Sequence, residues 1–419
     1  MQCVALGLAL LAGAAVAAPY PTHGAIELVE SKPVETFLDT PGMRATGDVW
    51  LDTIRTSQRT LDIGAFYFSS RPGSAMEPVL DAIRQAARRG VRVRVLIDRT
   101  FRAKYPAVVA ALERVHHLAL REIDLEHLTT GVMHAKYFVV DGAQVFLGSQ
   151  NFDWKALTHI HEIGVRLTDP RAARTVEAIF ELDWAIAGLS PRPTSVADPR
   201  VAALIARRAP ADAVTAAAPV TLPFGSHSVQ VALAFSPATL NPPGVDAEEP
   251  RLVAAIDAAQ HEVDVQVLEY SVVAGGEVYP VIEDALRRAA VRGARVRLLV
   301  SSWSLSRRNV PWLQRLATVP GVEVRAGTLP AWSGGFVNFA RVEHCKYMVV
   351  DRTLAFVGTG NWEKSYFHTT RNMSAFLTGG PFAGQLSAMF DRDWDGAYAQ
   401  PVVPGATYAP PVLSRPDGI

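Results

Sequence analysis

Hydrophobic positions along the chain fall into two registers, and the same succession of registers occurs twice. Val91-Arg92-Val93-Arg94-Val95 alternates apolar and polar residues with the period of a strand, and Ala294-Arg295-Val296-Arg297-Leu298 repeats the pattern. Before each lies helical spacing, over residues 78–89 and 279–292, stopped by Gly90 and Gly293, which suit a C-terminal cap. The unbroken apolar runs Tyr137-Phe138-Val139-Val140 and Tyr347-Met348-Val349-Val350 predict buried strands. Each half reads strand, helix, strand, helix, strand, then a tight strand pair and a closing helix.

The repetition extends to the residues themselves. Thr60-Leu61-Asp62-Ile63 is echoed by Glu262-Val263-Asp264-Val265, and Asp183-Trp184 by Asp393-Trp394. The later part of each half keeps a constant offset of 210. The predicted fold class is α/β: two homologous α/β/α halves with mixed sheets, packed around one pseudo-two-fold site. The expected halves are residues 27–188 and 226–400, joined by an Ala-, Pro- and Arg-rich linker over 189–225 that holds one short helix, with a tail over 401–419. Arginines at alternate strand positions, Arg92, Arg94, Arg295 and Arg297, fit either a solvated face or a stripe that binds nucleic acid, and the solvated face is expected.

Charge changes the picture little at first: 41 basic and 41 acidic residues leave the chain formally neutral. Whole-molecule attraction to nucleic acid or anionic lipid is not indicated, although a local basic cleft is compatible with that balance. Only six of the basic residues are lysine: Lys32, Lys104, Lys136, Lys155, Lys346 and Lys364. Such frugality points to places that need a compact ammonium. Residues 3–18 carry no charge and end in small residues, the pattern of a signal peptide cleaved after Ala17, and imply a secreted, periplasmic or lumenal protein. Of two cysteines, Cys3 would leave with that peptide; Cys345 is read as a packing residue.

The candidate chemistry is duplicated too. His134-Ala135-Lys136 is followed by Asp141 and by Gly148-Ser149-Gln150-Asn151; His344-Cys345-Lys346 is followed by Asp351 and by Gly358-Thr359-Gly360-Asn361. Residues two apart on a strand share a face, so each His points with its Lys. Phosphorus in a diester is shielded by charged oxygens, so attack on it needs local positive charge and a positioned nucleophile. Two lysines and two asparagine amides could surround the non-bridging oxygens, while one neutral histidine attacks and the other, protonated, serves the leaving oxygen. One half supplies a single histidine, so the halves must share a site.

These motifs resemble the signature of the phospholipase D superfamily, and segments such as 128–134, 148–154 and 358–367 look most like its animal lysosomal 5′-exonuclease branch. The resemblance implies catalysis without metal or cofactor through a covalent phosphohistidine, with His134 as nucleophile and His344 as acid. It further implies that Lys136, Asn151, Lys346 and Asn361, with Ser149 and Thr359, hold phosphate, and that Asp141 and Asp351 buttress the strands within the catalytic motif. Glu162 falls where the family has a carboxylate orienting a histidine; the matching position in the second half is Asn372. The implied substrate is a phosphodiester, either single-stranded nucleic acid cut from a 5′ end or a phospholipid head group. A third reading keeps the fold without turnover, at a membrane surface. Contact with a membrane surface and pairing into a homodimer are further expectations. Phe66, Tyr67, Tyr270, Trp303 and Trp362 are candidates either for stacking on bases or for the core.

Overall fold

The computed structural model describes residues 24–419. The signal-peptide expectation lies outside them. Among the described residues no helix is long and apolar enough to cross a membrane.

Each half is built on a mixed sheet. The first has eight strands in the order Arg44–Ala45, Ile26–Ser31, Glu162–Thr168, Gln144–Gly148, Tyr137–Val140, Thr60–Ala65, Arg92–Asp98 and Leu118–Ile123. The second repeats this arrangement: His227–Ser236, Asn372–Thr378, Leu354–Gly358, Lys346–Val350, Glu262–Val267, Arg295–Ser301 and Val322–Gly327 are successive neighbours. In both, the strand that begins at or just after the Lys of the His-x-Lys motif runs antiparallel to a central strand, Thr60–Ala65 or Glu262–Val267, at Ile63↔Phe138 and Val265↔Met348. The long strands on the other side are parallel, joined by the helices Met76–Arg88 and Val281–Val291. The stretch between the halves carries a short helix, Pro199–Ile205, and ends in the strand Val220–Phe224, which extends the second sheet along His227–Ser236.

Both faces of each sheet are covered, which is why the central strands read as continuous apolar runs. On the outer face of the first sheet Trp50, Val79 and Ile83 pack against Ile63, Val93 and Phe138. The second sheet buries Leu252, Ile256 and Leu286 in the same manner. The inner faces carry the closing helices Pro170–Ala187 and Gly380–Asp395, and Ile179, Phe180, Met389 and Phe390 belong to one core cluster drawn from both halves.

The closing helices correct one expectation. Arg92 and Arg295 are exposed, but Arg94 and Arg297 are buried. Arg94 forms a bidentate pair with Asp62 and reaches Glu181; Arg297 does the same with Asp264 and Asp391. The guanidinium groups lie over the rings of Phe180 and Phe390, at 4.8 and 4.7 Å. Strand alternation assigns a residue to a face; it does not say that a helix with an aromatic and a carboxylate will cover that face.

Candidate active site

The two His-x-Lys segments meet at the junction of the halves through backbone pairing that crosses between them. His134 N–H donates to the Arg371 carbonyl and Arg371 N–H to Val132, at 3.0 Å each. In mirror fashion, His344 N–H donates to His161 (2.8 Å) and His161 N–H to Val342 (3.1 Å). Close approach at this seam requires Gly131, where a Cβ would stand 2.0 Å from the Thr369 carbonyl oxygen.

This seam exchanges partners. Nδ1 of His134 lies 3.1 Å from Oδ1 of Asn372, in the second half, and Nδ1 of His344 lies 2.5 Å from Oε1 of Glu162, in the first. The residue before each of these polar groups also crosses the junction. Arg371 donates two bonds to Asp183 (2.9 and 2.8 Å), with both side chains fully buried. At the equivalent place His161 sits among Glu343, Glu30 and Asp393.

His134 and His344 line one cavity of about 210 Å³ together with Asn151. Both imidazoles are nearly buried, at 5% and 7% exposure, so their charged forms are disfavoured. Burial, then Lys136 and Lys346, hold His134 well below the usual imidazole value. Burial and the same two ammonium groups, with His134 itself, do this for His344. The lysines are fully buried and fold back so that each Nζ donates to the carbonyl of its own histidine, Lys346 at 2.6 Å. Burial and the neighbouring Lys346 push Lys136 well down, and burial pushes Lys346 down to about 7. Two lysines that depress one another in a buried place would both be charged only with an anion between them. Oδ1 of Asn151 and Oδ1 of Asn361 are buried without a hydrogen-bond partner, so neither amide is tied down on that side.

The surroundings of the two histidines differ. Phe66 lies 5.0 Å from the His134 ring and 5.1 Å from Lys136 Nζ, and Tyr366 meets His134 edge-on. On the other side Glu269, at 3.3 Å from Asn361 Nδ2, acts on Lys346, and Glu162 backs His344. Burial pushes the Glu162 carboxyl well up, with the two lysines opposing. His134 thus sees an amide and rings, whereas His344 sees a carboxyl group.

Other sequence-predicted residues are placed elsewhere. Asp141 and Asp351, grouped with the catalytic residues, sit at the far ends of their strands, about 16 Å along the chain from the lysines. Asp141 accepts from the N–H groups of Gln58, Arg59 and Thr60, and Asp351 from those of Gln260, His261 and Glu262, within 2.7–2.9 Å. They lock a turn to the strand and do not touch the cavity. The hydroxyls of Ser149 and Thr359 are engaged within the sheets, with Ile163 and Met373, and Thr359 also donates to Asn372 Oδ1 at 3.0 Å. What Ser149 and Thr359 present to the opposite histidine is backbone. Phe66, Tyr67 and Trp303 line the cavity, while Tyr270 and Trp362 are core residues of the second half.

Sequence reasoning missed Lys155, Lys104, Phe101 and Tyr105, which share the cavity wall. Lys155 pairs with Asp153 at 3.2 Å, and Tyr67 donates to the same carboxylate. The scarcity of lysine was the available signal, since four of the six line or adjoin this one site.

His161, Glu343 and Cys345 offer the one group of metal-ligating atoms found among the described residues, all within 4.8 Å. Both ring nitrogens of His161 already face carboxylates, Nδ1 toward Glu343 and Nε2 at 3.0 Å from Glu30. Against the cost of burial, Cys345, Glu343 and Asp393 raise His161 well above its usual value. Burial pushes the Cys345 thiol up to about 12. A protonated imidazole and a neutral thiol suit an ion-paired strut, the counterpart of Arg371–Asp183, better than a metal centre.

A duplicated α/β fold that brings two His-x-Lys segments to one cavity defines the class: a phosphodiesterase built from two halves. Residues 50–184 and 252–394 match the family model described as "Cardiolipin synthase, PLD-like domain", so the chain belongs to the phospholipase D superfamily. It is 31% identical to the 5′-3′ exonuclease PLD3 of Bos taurus over 418 residues, covering 91% of this chain and 82% of that one. It is 29% identical to phospholipase D Z of Dictyostelium discoideum over 397 residues, 90% and 91% of the two chains. Phosphatidylserine synthase of Haemophilus influenzae has the same fold, with a TM-score of 0.60 over 91% of this chain and 89% of that one at 13% identity.

Proposed function

We propose that this enzyme cleaves phosphodiesters through a phosphohistidine on His134, with single-stranded nucleic acid, entered from a 5′ end, as its substrate. The observation that carries the reading is the reciprocal backing of the two imidazoles across the junction. Nε2 of a neutral His134 attacks phosphorus, and the bond to the leaving oxygen breaks as His344, protonated, gives that oxygen its proton. His344, now neutral, takes a proton from water as that water attacks the phosphohistidine, and His134 leaves as the neutral base. Lys136, Lys346, Asn151 and Asn361 hold the non-bridging oxygens throughout.

The difference between the partners supports this division of labour. A carboxyl beside Nδ1 of His344 offers a partner that can take up negative charge when that ring is the acid, whereas the amide beside Nδ1 of His134 is an uncharged acceptor that fixes the tautomer of a nucleophile. Similarity to the PLD3 exonucleases supports the nucleic-acid substrate, and aromatic rings around the cavity are consistent with it.

The test is turnover in EDTA of a 5′-hydroxyl oligonucleotide beside phosphatidylcholine vesicles. Hydrolysis of the oligonucleotide alone is expected. Hydrolysis of vesicles alone would assign the site to lipid head groups, and turnover of neither would leave a fold without activity.

A further inference from the structure

The formally neutral chain has a basic cleft after all, and it continues beyond the catalytic cavity. Trp303 forms part of the wall of that cavity and of a larger groove of about 520 Å³. Neither wall contains an Asp or Glu among the described residues, in a protein with 41 of them. The cations are instead Lys104 and Lys155 on the cavity side, Arg341 and Arg415 on the groove side.

The geometry of these cations suits a passing anion. Lys104 stands exposed at the lip, 5.2 Å from the Phe339 ring and 5.4 Å from Phe101, with no carboxylate partner among the described residues. Arg341 donates to the Pro330 and Val34 carbonyls, which leaves its buried Nη2 without a partner. Arg415 lies over the Phe336 ring at 4.4 Å, its segment pinned by its own N–H to Asn338 Oδ1 and by Phe339 N–H to the Leu413 carbonyl. Glu35, the carboxylate that acts on Arg341, accepts from the N–H and the hydroxyl of Ser333. Between the cations stand Trp303, Trp332 and Phe336. Aromatic faces together with cations, of which Lys155 alone has a carboxylate in salt-bridge range among the described residues, at Asp153, suit a single strand, which brings a base and a phosphate at each step. An acyl chain would have no use for the arginines.

We infer that this groove is the track for the nucleotides beyond the scissile bond, entered over Lys104 and Trp303, and that the enzyme therefore favours strands of several nucleotides over short diesters. The inference rests on the phosphodiesterase reading above, so the test includes a substrate too small to reach the groove.

Rates are to be measured on bis(p-nitrophenyl) phosphate, a thymidine dinucleotide and a thymidine decanucleotide, all with free 5′-hydroxyls where they have one. The decanucleotide should have a KM about tenfold below that of the dinucleotide, an advantage that shrinks as salt rises. Arg415→Gln and Trp332→Ala should each remove most of that advantage, with rates on bis(p-nitrophenyl) phosphate held within about twofold; thermal unfolding should be unchanged for Arg415→Gln, and lowered for Trp332→Ala, which also packs on the core. Equal KM for the two oligonucleotides, or variants that slow all three substrates alike, would overturn the track while leaving the chemistry intact. Vesicle hydrolysis impaired by the same variants would hand the groove to acyl chains and overturn it also. No turnover of any substrate would remove the phosphodiesterase reading and the track with it.

Discussion

Glu162→Gln isolates the role given to the carboxyl behind His344. The substitution keeps shape and burial but exchanges the carboxyl at 2.5 Å from Nδ1 for an amide, so that both histidines are then backed alike. A charge-assisted contact in a buried site contributes about 1.5–3 kcal/mol, which corresponds to roughly tenfold to 150-fold in rate if the 2.5 Å contact becomes an aligned ion pair only when the imidazolium forms as acid. The loss should depend on the leaving group. An alkoxide needs His344's proton as the bond breaks, whereas p-nitrophenolate leaves without one. Stopped-flow measurement of the first turnover should therefore find the burst on a p-nitrophenyl diester little changed and that on an alkyl diester slowed by the full factor. Steady-state rates should fall on both, because His344 is also the base of the second step. A burst slowed equally on both substrates would refute the assignment of His344 as acid.

The remaining expectations concern the same site and its supports. His134→Ala and His344→Ala should each lower kcat by at least about a thousandfold, and mass spectrometry of quenched mixtures should find a phosphorylated His134 only where His134 is present. Activity needs His134 neutral, hence a pH above its value, and His344 protonated, hence a pH below its own. Both are held well below the usual imidazole range, so the kcat/KM profile should peak on the acid side of pH 6.5. Lys346, at about 7, carries its charge only below that pH, so KM should climb as pH rises past it. Asp183→Asn strands a fully buried guanidinium and should cost about 3–5 kcal/mol in urea unfolding, whereas Asp183→Leu with Arg371→Met should recover most of it.

Much of the fold was legible because its signals are local. Alternation at 91–95 and 294–298 located strands, and helical spacing ended by Gly90 and Gly293 located the helices between them. What the pattern could not supply was cover: Arg94 and Arg297 looked solvated because nothing near them in sequence announces Glu181, Phe180, Asp391 or Phe390. The same limit applied to the site. An offset of 210 equates Glu162 with Asn372, but equivalence is not contact, and only the folded chain assigns Glu162 to His344 and Asn372 to His134. Ser149 and Thr359 lie two residues before Asn151 and Asn361, yet their hydroxyls serve the sheets; a motif fixes position, not the direction of a side chain.

The crossed backing of the histidines has a bearing on why the two halves share a single polypeptide. Were the site assembled from two identical subunits on a dyad, each imidazole would necessarily face the same residue, and acid and nucleophile would begin indistinguishable. Covalent linkage of two copies lifts that constraint: a change at 372 alone leaves a carboxyl for one ring and an amide for the other. Division of labour between two like groups is then written into the gene, and need not await the arrival of an asymmetric substrate.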